Sequence, residues 1–299
     1  MRILLIGGSG QLGTAIKGTI DNSQHELKEP DSKILNISDR NSVDKYFLDY
    51  HPDIVINCAA YTNVERAEID QKKSLEINSN GPEYLSLKTY ELGSYLIHIS
   101  TDYVFGSSGT GPYSNGDKTG PINHYGYTKR EGEKKVISNT EKFLIIRTAS
   151  LVSSYESNFV SKVVFKLQKG ENINVVENQY ISMTCSEYLA NFICKILTYY
   201  TDLLPNSLSN NQIVHYTNAG FTNWFSIASR IQDKLFEKKV IKSRDLVKPI
   251  RTEDWASKAK RPSDSRLLVN NQVNEILDIV PVRWEDGLDK IINESTINE

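Results

Sequence analysis

Two groups of residues in this chain have the types and spacing to do chemistry. Tyr125 and Lys129 stand four residues apart in Tyr125-Gly126-Tyr127-Thr128-Lys129. On a helix that spacing puts the phenol and the ammonium on one face, about one turn apart. A cation beside a phenol favours the phenolate, so the phenol can exchange a proton near neutral pH. The second group is the turn from Gly7 to Gly13, Gly-Gly-Ser-Gly-Gln-Leu-Gly. Gly8, Gly10 and Gly13 fit G-x-G-x-x-G, and Gly7, Gly10 and Gly13 fit G-x-x-G-x-x-G. Either spacing allows a tight turn and close backbone approach to a pyrophosphate, with helix amides facing it. A nicotinamide dinucleotide held there would give a hydride and Tyr125 a proton, which together reduce a carbonyl. Each pattern alone also has a plain structural explanation: a solvated helix face, or an ordinary strand-to-helix turn.

The surrounding elements favour the chemical explanation. Arg2 to Ile6 is a short apolar run suited to a buried parallel strand, and the glycines follow at once. Gln11 to Ile20 reads as a helix with Leu12, Ala15, Ile16 and Ile20 on one side. His25 to Glu29 is a polar candidate strand. Ser38 or Asp39 can cap a helix running to Tyr50, with Pro52 beyond its end. Strands are expected at Asp53 to Asn57, Tyr95 to Ser100 and Phe143 to Arg147, and helix over Glu65 to Leu92 with a break near Asn80-Gly81-Pro82. Gly106 to Asn123, with five glycines and two prolines, is a loop placed to flank an active site. Later helices are expected at Ser157 to Lys169, Cys185 to Tyr200, Trp224 to Lys238 and Trp284 to Asn293, with short strands at Ile173 to Val176 and Gln212 to Tyr216. The strand-helix alternation predicts an α/β fold, a Rossmann-type doubly wound parallel sheet with a smaller mixed α/β C-terminal substrate lobe. The expected division is a dinucleotide-binding domain over 1–150, completed by part of 179–217, and a mainly substrate-binding lobe over 151–299.

Composition sets outer limits. The 299 residues are 39% hydrophobic, enough for a substantial core. No apolar run reaches membrane length, and the one at Ile3 to Ile6 is too short for a signal segment, so a cytoplasmic protein away from membranes is expected. A net charge of −2 with interspersed signs gives no electrostatic case for nucleic acid. Cys58, Cys185 and Cys194 are expected as reduced thiols, and the five histidines lack metal-ligand spacing, so no metal is expected.

Six stretches together resemble the extended short-chain dehydrogenases/reductases and, within them, the dTDP-4-dehydrorhamnose reductases. They are Gly7 to Gly13; Asn57-Cys58-Ala59-Ala60-Tyr61-Thr62-Asn63-Val64-Glu65 with Ala67-Glu68; Ser100-Thr101-Asp102-Tyr103-Val104-Phe105; Tyr125 to Lys129 with Glu131-Gly132-Glu133; Arg147-Thr148; and Arg261 to Leu267. The resemblance spans nearly the whole chain. It implies catalysis by Thr101, Tyr125 and Lys129, with Tyr125 protonating the carbonyl oxygen and Lys129 lowering the phenol's pKa and reaching the nicotinamide ribose. It implies NADPH or NADH as cofactor, held by Gly7, Gly10, Gln11, Leu12, Gly13, Asn36, Ile37, Ala59, Ala60, Tyr61, Tyr125 and Lys129. It implies a nucleotide-sugar substrate met by Val64, Thr101, Asp102, Tyr103 and Arg261, and it allows a homodimer. Glu29 stands where an acidic residue would bind a ribose 2′-hydroxyl, with Lys28 and Lys33 close by.

The implied reaction is reduction of the 4-keto group of a nucleotide-linked 6-deoxysugar for surface polysaccharide synthesis. A related nucleotide-sugar epimerase and a non-catalytic cofactor-binding subunit are the alternatives. The chain departs from the family pattern in its second half. Ser150 stands where a tryptophan is expected, and Gln179-Tyr180-Ile181-Ser182-Met183-Thr184 has lost the pattern's glycine and proline. Loss of an aromatic wall changes pocket shape and hence substrate choice.

Overall fold

A computed structural model describes residues 1–297 except 22, 108, 156–157, 203–210 and 270. The chain runs through β1 (Arg2–Ile6), α1 (Gln11–Thr19), β2 (Glu26–Lys28), α2 (Arg40–Tyr50), β3 (Ile54–Asn57), α3 (Val64–Ala67), α4 (Gln71–Leu75), α5 (Gly81–Leu92), β4 (Tyr95–Thr101), α6 (His124–Asn139) and β5 (Phe143–Thr148). It continues through β6 (Leu151–Val152), α7 (Phe159–Gln168), β7 (Ile173–Val176), β8 (Tyr180–Ile181), β9 (Thr184–Cys185), α8 (Ser186–Asp202), β10 (Asn211–His215), β11 (Thr222–Asn223), α9 (Trp224–Glu237), β12 (Val247–Ile250), α10 (Asn271–Ile276) and α11 (Trp284–Ile297).

Six strands form one parallel sheet in the order β10-β5-β4-β3-β1-β2. Every residue of β3 and β5 is buried, as expected of strands covered on both faces. One face packs Leu12 and Ile16 of α1 against Leu189, Phe192 and Ile193 of α8. The other packs Val43 and Phe47 of α2, Leu85 of α5 and Val136 of α6. Fully burying a side chain such as Ile16 stabilises the fold by about 1.5–3 kcal/mol. After β1 the chain winds out to β2 and then crosses back to β3 on the other side. The switch point therefore lies between the carboxyl ends of β1 and β3, where doubly wound sheets bind ligands.

A second cluster gathers α7, α9 and α11 around Val163, Leu167, Met183, Ile227, Ile231 and Leu288. Three two-stranded sheets edge it: β7 with β12, β8 with β11, and β6 with β9.

One local expectation needs correction, and two elements were not expected. The helix does not break at Asn80-Gly81-Pro82. Glu76–Asn80 forms a π-turn, in which the Gly81 amide donates to the Glu76 carbonyl, and α5 continues from it. The wider turn leads into a first turn of α5, where a proline without an N–H is tolerated. The interruption falls earlier, between α3 and α4. The basic stretch after Lys238 contains a strand, β12, which pairs in parallel with β7. Pro249 is compatible with it because a two-stranded ribbon leaves one edge unpaired. The short helix α10 was not expected. The anticipated helix start at residue 157 lies outside the described residues, and α7 begins after Asn158, whose side chain and that of Ser161 form a reciprocal capping box.

Candidate active site

The glycine turn divides into positions that pack and one that opens. A Cβ on Gly7, where φ is +80°, would lie 2.7 Å from the Ala59 nitrogen, and one on Gly13 would lie 2.2 Å from the Gly7 carbonyl oxygen. One on Gly8 would meet the Glu29 carboxylate at 2.6 Å. At Gly10 the only neighbour within 4 Å among the described residues, chain neighbours aside, is the Gly7 carbonyl oxygen at 3.5 Å, so space remains above it. Gly10 also begins α1 without a side-chain cap, which leaves helix N-terminal amides free for an anion. An uncapped helix start beneath an open glycine fits a dinucleotide pyrophosphate. Leu12 itself is in the core, so only its backbone faces the turn. Gln11 accepts a hydrogen bond from Ser153 Oγ at 2.9 Å, joining the turn to the second cluster. Glu29 is ion-paired with Lys17 at 2.7 Å.

The loop after β3 forms the other side of the cradle. Ala59 donates to Asn57 Oδ1 at 3.2 Å, and Ala60 follows it, half-buried. Tyr61 is held by its backbone: Asn78 Oδ1 accepts from the Tyr61 amide at 2.7 Å, while Asn78 Nδ2 donates to the Tyr61 carbonyl and to Thr128 Oγ1 of α6. Asn36 accepts from Ser38 within its own turn, and Ile37 is a core residue against Gly81.

Two glycines seat α6. A Cβ on Gly126 would come 2.0 Å from the Tyr103 carbonyl oxygen, and one on Gly132 would come 2.2 Å from the Asn78 carbonyl oxygen. Asn123 caps the helix by accepting from the Gly126 amide at 2.8 Å. Tyr125 is thereby set beside the end of β4, its ring edge-on to Tyr103 at 5.9 Å. Thr101 ends β4 and interacts with the Tyr125 phenol. Its hydroxyl donates to Asp102 Oδ1 at 2.9 Å and accepts from the Tyr103 amide at 3.2 Å.

The electrostatics correct one expectation. Burial pushes the Tyr125 phenol above its ordinary value, partly offset by Thr101. Lys129 does not dominate the phenol, because its ammonium donates to the Ile99 carbonyl at 2.6 Å. Burial lowers Lys129 itself to about 8, opposed by Glu133 and Cys58. The phenol is therefore held as a proton donor rather than as phenolate. Beneath Lys129, Glu133 receives both arms of the Arg147 guanidinium, at 2.9 and 2.7 Å, and the Ser100 hydroxyl at 2.5 Å.

Gln11, Val64, Thr101, Asp102, Tyr103, Tyr125 and Arg261 converge on one cavity of about 590 Å³. Lys129 lies one turn behind Tyr125. Asn36 and Ile37 do not line this cavity. Sequence reasoning missed an aromatic and apolar wall from the second half of the chain: Phe159, Trp224, Trp255, Val176 and Ile250, of which Phe159 and Trp224 pack on the second cluster. The Phe159 and Trp224 rings lie 4.7 Å apart, and Arg261 stacks over Trp255 at 4.2 Å while pairing with Glu65 at 3.1 Å. A tryptophan among the charges after Lys238 was the available signal for Trp255. Ser150 lines the cavity with φ +43°, whereas Met183 is wholly buried in the second cluster.

A doubly wound sheet that presents a glycine turn and a threonine-tyrosine-lysine set at its switch point defines an extended short-chain dehydrogenase/reductase. More narrowly, the chain belongs to the RmlD substrate-binding-domain family, whose model matches residues 1–297. It is 31% identical over 292 residues to the dTDP-4-dehydrorhamnose reductase of Aggregatibacter actinomycetemcomitans, covering 97% of this chain and 98% of the relative. It is 31% identical to the spore coat polysaccharide biosynthesis protein SpsK of Bacillus subtilis, covering 98% and 97%. The crystal structure of dTDP-4-dehydrorhamnose reductase from Bacillus anthracis in complex with NADP superposes with a TM-score of 0.87 at 30% identity, covering 98% of this chain and 99% of that one.

Proposed function

We propose that this protein reduces the 4-keto group of a nucleotide-linked 6-deoxysugar, as a dTDP-4-dehydrorhamnose reductase does, in deoxysugar and surface polysaccharide synthesis. The observation that carries the reading is the convergence of the Tyr125 phenol and the Thr101 hydroxyl in the wall of a cavity that also presents Arg261. A bound nicotinamide supplies the hydride. Tyr125, kept protonated by burial, delivers its proton to the developing alkoxide oxygen. Thr101 donates to the same oxygen and polarises it. Lys129, anchored on Ile99, holds a cation beside the ribose position. Arg261, preorganised by Glu65 and Trp255, meets the substrate's diphosphate. The aromatic wall of Phe159, Trp224 and Trp255 contributes the apolar surface that Ser150 does not.

NADPH is the cofactor we favour. The structurally similar reductase binds NADP. In addition, Lys17 neutralises Glu29, so the carboxylate does not stand as an unpaired anion against a 2′-phosphate. The protein works in the cytoplasm in this reading.

The test is nicotinamide oxidation by the purified protein with freshly generated dTDP-4-keto-6-deoxy-L-sugar, run with NADPH and with NADH. Turnover is expected, faster with NADPH. Tyr125→Phe should bind cofactor normally and lose roughly 10²–10⁴-fold in the chemical step. Equal rates in wild type and variant would overturn the assignment. Tight cofactor binding without turnover would favour the non-catalytic subunit.

A further inference from the structure

Asp102, which the resemblance places against the substrate, is a buried carboxyl group with no part in proton transfer as described so far. It lines the reaction cavity yet is only 3% exposed. Its Oδ1 meets the Thr101 hydroxyl at 2.9 Å, and its Oδ2 makes no hydrogen bond to any described residue. Thr101 and Tyr125 stand together in the wall of the same cavity, and Thr101 acts on the phenol to lower its pKa. The carboxyl, the hydroxyl and the phenol thus share one wall of the cavity, the first two hydrogen-bonded. A hydroxyl between a carboxyl and a phenol can donate to one neighbour and accept from the other, and can reverse both bonds by rotating.

We propose that Asp102 is the proton source that restores Tyr125 after each reduction, acting through the Thr101 hydroxyl. The proposal rests on the reductase reading above. Each turnover takes one hydride from the reduced nicotinamide and one proton from the Tyr125 oxygen. The resulting phenolate takes the Thr101 hydroxyl proton. Thr101 is refilled by the proton on the Asp102 carboxyl, and the carboxylate left behind takes one from solvent in the cavity. No further oxidant or reductant is needed.

Two features support this direction. Burial pushes the Asp102 carboxyl up to about 6, against the opposing effect of Ser265, Thr101 and nearby backbone amides, so about a tenth of the carboxyls still carry a proton at pH 7 and most do below pH 6. Ser265 acts on the carboxyl but makes no bond of good geometry to Oδ2, and an oxygen left in that state costs much less on a neutral acid than on a carboxylate. The groups facing Asp102 are Thr101 and Tyr103 from its own turn, Tyr125 from α6, and Ser265 from the stretch after Arg261. Arg261 lies beyond Tyr103 and contacts that phenol.

The experiment compares wild type with Asp102→Asn, which keeps the shape but carries no transferable proton, and with Thr101→Val, which removes the bridge. Stopped-flow nicotinamide oxidation at saturating NADPH and dTDP-4-keto-6-deoxysugar separates the first turnover from later ones. The first spends the proton that Tyr125 already holds; later ones need the relay. In wild type the later turnovers should slow as pH rises above about 6, the carboxyl's position. In Asp102→Asn they should slow by roughly 10²-fold, the lower end of what a positioned proton donor is worth. The first turnover should slow far less, and the pH limb should vanish. Infrared spectra of the free wild-type protein should show a buried carboxylic acid band that fades with rising pH and is missing in Asp102→Asn. Thr101→Val should retain that band and still lose the pH limb. Equal slowing of first and later turnovers in Asp102→Asn, an unchanged pH limb in either variant, or no band lost in Asp102→Asn would overturn the relay while leaving the reductase reading intact. Absence of wild-type turnover would overturn that reading and the relay with it.

Discussion

Glu133 and Arg147 show how a single residue pair supports the site without touching substrate. Both side chains are almost fully buried, at 3% and 4% exposure, and meet through two parallel hydrogen bonds. Glu133 follows Lys129 by one turn on α6 and favours its charged form, while Arg147 sits on β5 with its guanidinium over Phe105 at 5.1 Å. Removing one partner of a buried pair leaves the other charge desolvated and alone. Glu133→Ala should therefore cost about 3–5 kcal/mol, read as a lower denaturant midpoint. It should also lower the pKa of Lys129 further, because its main opposing charge is gone. Glu133→Ala with wild-type stability would mean that Arg147 finds another partner.

At the scale of elements, the turn between β1 and α1 makes a prediction that separates packing from binding. A Cβ on Gly13 collides with backbone at 2.2 Å, so the helix must shift for any side chain to fit. A Cβ on Gly10 meets nothing closer than 3.5 Å. Gly13→Ala should lower thermal stability and cofactor affinity together. Gly10→Val should leave the unfolding transition near wild type and abolish NADPH binding, measured by titration calorimetry, because the side chain fills the pyrophosphate's approach. Equal destabilisation by both changes would make the turn purely structural. α6 obeys the same logic: Gly126 and Gly132 allow it to sit against the Tyr103 and Asn78 backbones, and that contact sets the height of Tyr125 over β4.

At the scale of the whole molecule, acid should weaken the fold through histidines buried in their neutral form. His215 ends β10, where its Nδ1 meets the Leu268 carbonyl at 3.2 Å and its ring lies edge-on to Phe105. Burial and then Arg147 lower it from 6.5 to about 4. His98, within β4, is also pushed down by burial. The unfolded chain binds these protons as pH falls below about 6.5, while native His215 does not until about 4 and native His98 only well below 6.5. Their stability contribution is thus complete above the unfolded value and is lost between the two. For His215 the loss amounts to about 3 kcal/mol. Denaturant unfolding at pH 7 and pH 4.5 should show the drop, and His215→Gln should flatten part of it. A pH-independent midpoint across that range would refute the account.

Local pattern determined much of this protein. Apolar runs, glycines and cap residues fixed β1, the turn, α1, β3, β4, β5 and the Tyr125 helix, because each is a short-range choice between burying a face and exposing it. Thr101, Tyr125 and Arg261, proposed as site residues from motif order, meet in the wall of one cavity. Tertiary structure alone decided what those residues became. It raised the Tyr125 phenol by burial and turned the Lys129 ammonium onto the Ile99 carbonyl, which together favour the protonated phenol. It brought Phe159, Trp224 and Trp255, at least 34 positions beyond Tyr125 in the sequence, onto the opposite wall of the cavity. It also let the chain pass through Gly81-Pro82 without a break, because a π-turn docked against α6 there. Desolvation and long-range packing depend on which distant surfaces meet, and nothing in the local order of residues records that.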